Sequence, residues 1–210
     1  MIDYIIIIQG GDMMKIGEAR AVYSAQLQKY WDQKLFLAKQ KKQLEEKAKI
    51  LPNEKEQFAQ EAVALELSYN AVTEKYEEYH NFMEQVNTLH TALFNAEVSK
   101  QQGEAMAEYT QDIVKIMEVA RRIAKGAKVP YSDEQKLMEY NMEMYMSAKN
   151  LAMINMQKKK EEYESLWDEE KDKGEDPEPN EVADSAELSL NAPEIVEVTD
   201  VMAAASGGET

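Results

Sequence analysis

Cysteine is absent from the 210-residue chain, which removes disulfides, thiolate nucleophiles and Cys-ligated metals from consideration. That suits a reducing compartment, and a cytoplasmic location is the expectation. Proline and glycine are scarce, at five and eight residues, so few positions can interrupt a helix. Long apolar runs are missing as well. The longest is Tyr4 to Ile8, against the ~20 residues that span a bilayer, and no basic segment precedes it as in a signal peptide. Basic charge is in deficit: 24 Lys and Arg face 40 Asp and Glu, for a net charge of -16. Such a body repels phosphate backbones, so neither nucleic acid nor an anionic membrane is an expected partner. The basic clusters Lys39-Gln40-Lys41-Lys42 and Lys158-Lys159-Lys160 are short and run into Glu45-Glu46 and Glu161-Glu162, which favours local ion pairing.

What remains is helical periodicity. Four helices are expected, near 15–50, 54–102, 104–127 and 132–172, punctuated by Pro52-Asn53 and by Gly126 with Pro130. Ser132-Asp133-Glu134-Gln135 reads as a capping box opening the last of them. The second helix carries a seam at Phe58, Ala62, Leu65, Tyr69, Val72, Tyr76, Tyr79, Met83, Val86, His90 and Leu93. The first carries Ile16, Arg20, Tyr23, Leu27, Tyr30, Lys34, Leu37, Lys41, Leu44 and Ala48. Reflected about Pro52-Asn53, Leu37 faces Tyr69, Leu27 faces Tyr79 and Tyr23 faces Met83, as an antiparallel coiled-coil hairpin requires. Charge agrees: residues 15–55 hold ten basic and five acidic side chains, and 56–104 hold two and nine. Lys34 and Lys41 can lay their stems on the apolar seam.

A second hairpin over 104–172 is expected in the same way, with Ile123 meeting Leu137, Ile116 meeting Met144 and Tyr109 meeting Leu151. The fold class is thus all-α, two antiparallel helical hairpins forming either a coiled-coil-like pair or a four-helix bundle. The choice turns on whether the chain runs straight through Gly103 or reverses there. Residues 173–210 hold ten acids and one lysine with few large apolar groups, the composition of a disordered acidic tail.

Catalytic and metal chemistry find little footing. Glu77-x-x-His80 has the spacing used by di-iron helical proteins, but Asn87 stands at that offset before His90, so the second motif is missing. No Gly-rich phosphate loop, nucleophile elbow or Ser/His/Asp grouping occurs. No enzyme activity, cofactor or metal is expected. Met138, Met142, Met144, Met146, Met153 and Met156 lie within twenty residues. Methionine suits adaptable contact surfaces, so Met138, Met142, Met146 and Met153 are candidates for a partner-binding face, with burial inside a bundle as the alternative. In the tail, Ile195, Val196, Val198 and Val201 form an apolar island that could dock on a partner's sheet edge or stay solvated.

The function these features imply is a non-catalytic helical protein-protein interaction protein: an adaptor, scaffold or export-type chaperone. It would bind a protein partner or itself. A secreted helical-hairpin effector or secretion partner is the alternative. Against it, Trp31 and Trp167 lack the following x-Gly of such proteins' turns, and Tyr163 is followed by Trp167 where their export signal has an acid.

The first twelve residues differ in composition, with Ile5 to Ile8 followed by Gln9-Gly10-Gly11-Asp12-Met13-Met14. Gly-Gly codons can read GGAGG, a bacterial ribosome-binding sequence. Residues 1–12 are therefore expected to be a mis-called leader, with a disordered arm as the alternative. Intact-mass analysis of the natural protein should then show a start at Met13 or Met14, and recovery of peptides covering Tyr4 to Gly11 would refute this.

Overall fold

The computed structural model describes residues 14–50, 55–154, 161–168 and 174–206. The proposed leader, Pro52-Asn53, Met156 and Lys158 to Lys160 lie outside them. The described chain is all-helical apart from isolated bridges and connecting segments. It comprises α1 (Ile16–Ile50), α2 (Lys55–Ala124), α3 (Tyr131–Tyr140), α4 (Met142–Ile154), α5 (Pro179–Ser185) and α6 (Val198–Ser206). Two compact units divide it, one of residues 1–96 and 178–210, the other of residues 97–177.

In the first unit, contacts ascend along α1 as they descend along α2. Tyr23 meets Phe82 at a ring separation of 4.6 Å, Trp31 meets Tyr76 at 5.7 Å, and Lys41 pairs with Glu66. Each pair lies within a helical turn of the register expected from the mirrored seams. Ile16, Tyr23, Tyr30, Leu37, Val72, Tyr79, Met83 and Val86 are buried together. Lys34 and Lys41 do lie on the seam, each with its ammonium over the Tyr69 ring, at 5.9 and 4.9 Å.

The tail departs from expectation. Over 174–206 it is not a free acidic tail: α5 lies on α1, Ala183 and Leu188 are buried, and Leu190, Val198, Val201 and Met202 pack on the same core. An antiparallel bridge between Lys15 and Glu187 starts a strap over residues 186–197, with Leu188 N–H donating to the Met14 carbonyl at 2.8 Å and Ile16 N–H to that of Ala186 at 3.0 Å. Mean composition hid the few apolar residues that matter, because they meet a surface already built by α1 and α2.

The second unit is organised around Ile116, Val119, Ile123, Leu137 and Ala148, with Met144 and Trp167 alongside. The Ile123–Leu137 and Ile116–Met144 ends of the expected seam thus share one core. Tyr109 and Leu151 do not close the far end; they are 56% and 50% exposed.

At Gly103 the continuous alternative holds and the stop near Gly126 falls as expected, whereas the last expected helix differs. α2 is one helix through Gly103, where one glycine is too small a penalty to break seventy residues of helix. It ends at Gly126, whose φ of 82° suits a Schellman stop: Gly126 N–H donates to the Ile123 carbonyl and Ala127 N–H to that of Arg122. The helix expected over 132–172 is broken at Asn141, whose side-chain oxygen accepts from Met144 N–H at 2.9 Å and starts α4. α4 is described as far as Ile154, and residues 161–168 are not helical. Ser132 does not cap α3, which begins at Tyr131 behind Pro130 with no side-chain cap. Buried Asp133 instead accepts from Ser165 Oγ at 2.6 Å and Leu166 N–H at 3.1 Å, tying the 161–168 segment down.

Nothing lies within 4 Å of a Cβ built on Gly103. Gly103→Ala should therefore stabilise the protein by about 0.5–1 kcal/mol through helix propensity and a less flexible unfolded chain. Thermal melts should show a rise of roughly 2 °C, and a fall would mean that the position needs glycine.

Candidate functional sites

Two surfaces carry features beyond ordinary packing. The first is an aromatic clamp in the first unit. Tyr23 and Tyr30 are one heptad apart on α1 and face Tyr79 of α2, with edge-on ring separations of 5.6 and 5.3 Å. All three side chains are buried, so each hydroxyl needs a partner. The strap supplies it from its main chain. Tyr23 donates to the Pro193 carbonyl, Tyr79 to that of Glu194 at 2.8 Å and Tyr30 to that of Val196 at 2.9 Å. Val196 N–H donates back to the Tyr79 oxygen at 2.9 Å.

The polar residues that interrupt the two seams join the same construction. Arg20 of α1 donates to Asp184 of α5 at 2.8 Å, and His90 Nε2 of α2 lies 3.2 Å from the same carboxylate oxygen, without hydrogen-bond alignment. Gly17 permits this approach: a Cβ there would stand 3.0 Å from Asp184 Cβ and 3.2 Å from its carbonyl oxygen.

The apolar island of the tail therefore does not present itself to a partner's sheet edge. Val196 is held through both its backbone groups, Val198 and Val201 are half-buried against the core, and Val198 and Val201 belong to α6. Ile195 alone points out, at 42% exposure. Sequence reasoning missed the receiving surface, although the signal was present: tyrosines recurring at seam positions imply polar tips needing acceptors inside a core.

The second surface is α4. Met142, Met146 and Met153 are 55%, 53% and 64% exposed and share one helical face. Lys149 interrupts that face but turns to Glu134 at 2.8 Å. Met138 stands apart on α3 and is half-buried. Eleven of the eighteen exposed large hydrophobics among the described residues fall in 97–177, including Met106, Val114 and Met117 of α2.

Groups with acid-base character are sparse. Glu118 is held far below the usual carboxylate range, at about 2, by hydrogen bonds and charge from Arg121 and Arg122. It lies on an open helix face. His80 has Glu84 at 3.8 Å, not a ligand set, and no group of three potential metal-binding side chains occurs among the described residues. No described helix is long and apolar enough to cross a membrane.

Burial pushes the Tyr23, Tyr30 and Tyr79 hydroxyls above the ordinary value of 10, Tyr30 furthest. In the unfolded chain they titrate near 10. Above that pH the folded state holds more protons, so the stabilisation present below pH 10 is lost as pH rises toward the folded values. The melting temperature should fall above about pH 10, and Tyr30→Phe should flatten that fall. An unchanged alkaline profile in the variant would contradict the clamp. Comparison with known proteins leaves the reading to this geometry: no family model, curated protein or solved structure matches the chain.

Proposed function

We propose that the chain is a non-catalytic helical protein-protein interaction protein, an adaptor, scaffold or export-type chaperone of the bacterial cytoplasm. In this reading the first unit is an antiparallel α1–α2 hairpin stabilised by its strap, and the second unit meets the partner. The observation that carries it is the exposed Met142, Met146 and Met153 face. Folded proteins rarely leave large apolar patches in water unless those patches serve contact. Methionine is the side chain best able to fit partners of differing shape, because it is unbranched and polarizable. The uncovered ends of the seam, Tyr109 and Leu151, extend the apolar character of this unit.

Joint replacement of Met142, Met146 and Met153 by Gln tests this. Exposed changes of this kind cost within about 0.5 kcal/mol each, so helicity should be retained and the melting temperature nearly so. Capture of the partner from a lysate of the native organism, or the self-associated species in light scattering, should be lost. A large fall in melting temperature would mean that the face is internal, and retained capture and association would refute the proposal.

A further inference from the structure

The aromatic clamp holds its strap through main-chain groups, and it is independent of the methionine face. Every hydrogen bond that Tyr23, Tyr30 and Tyr79 make to the strap ends on main chain: the carbonyls of Pro193, Glu194 and Val196 and the N–H of Val196. Main-chain contacts fix an extended backbone without specifying its side chains. Between Pro193 and Glu197 no side chain is fully buried. Ile195 points outward, and α6, which follows it, has no buried residue.

The surroundings specify charge. Lys29 of α1 reaches Glu197 at 3.4 Å, and Arg20 takes Asp184. An open depression of about 470 Å³ lies beside the strap, bordered by Lys29, Asp32, Gln33, Phe36, Glu197 and Val198.

We infer that this clamp is a binding site for an extended, acidic, aliphatic peptide segment of another protein, and that residues 193–197 are its resident competitor. Tethering gives that competitor an effective concentration on the order of millimolar, so an incoming segment binds the intact chain weakly until the resident is loosened.

The probe is a fluorescein-labelled peptide of residues 187–203, titrated into the full-length protein by anisotropy. Val196→Pro in the protein removes the N–H that donates to Tyr79 and so loosens the resident. Asp184→Asn, which loosens it from the α5 end, is the second variant should Val196→Pro lower helicity by circular dichroism. The loosened protein should bind the peptide at least about tenfold more tightly than wild type, as expected from the loss of one or two hydrogen bonds by the competitor. Tyr79→Phe added to the loosened protein should cancel most of that gain.

No binding by a folded loosened variant, equal affinity for loosened and wild-type protein, or indifference to Tyr79→Phe would each overturn the inference. So would a wild-type dimer in light scattering that Tyr79→Phe abolishes, because the occupant would then be a second copy of this chain.

Discussion

Three phenolic hydroxyls buried between α1 and α2 set the terms for the first unit. Tyr23, Tyr30 and Tyr79 supply much of the apolar surface that holds the two helices together, yet each brings a polar tip into the interior. A buried hydroxyl left without a partner costs about 1–3 kcal/mol, comparable to what its ring gains by burial. The tyrosine tips reach past the two helices, and the partners they find are on the strap. Its residues 191–197 are non-helical and their carbonyls are free to accept. The C-terminal segment is therefore a structural part of this core, and the aromatic seam and the strap stabilise each other.

Much of this was written in the seams and almost none of it in the composition. The pairs Trp31 with Tyr76 and Lys41 with Glu66 lie within one residue of the mirrored pattern. Arg20 and His90, polar members of the two seams, both approach Asp184. A sequence read helix by helix cannot show this, since Asp184 stands far along the chain in a stretch whose average hydropathy argues for disorder. Averages fail there because ordering is decided by local fit: Leu188 buried, Gly17 leaving space, and four main-chain hydrogen bonds at the clamp.

The second unit was misread for a more local reason. Heptad spacing continues past Asn141, so periodicity alone predicts one long helix. A single side-chain oxygen capping Met144 N–H is enough to end one helix and start another. Asp133 shows the same effect from the opposite direction. The capping-box pattern gave it no role, whereas its carboxylate serves Ser165 and Leu166, distant in sequence. Of the methionines singled out there, Met142, Met146 and Met153 are exposed and Met138 is half-buried.

Charge plays a directing rather than a holding part in the strap. The chain's acidic excess is concentrated after residue 172, and its basic excess lies on α1, so attraction favours the docking that is observed. The individual pairs are partly exposed, Lys29 with Glu197 and Arg20 with Asp184, and such pairs each contribute about 0–1 kcal/mol. Burial of Ala183 and Leu188 and satisfaction of the tyrosines outweigh that. The two surfaces thus stand in contrast. On one, polar groups with directional demands are met by the chain's own backbone. On the other, exposed methionines make no directional demand at all.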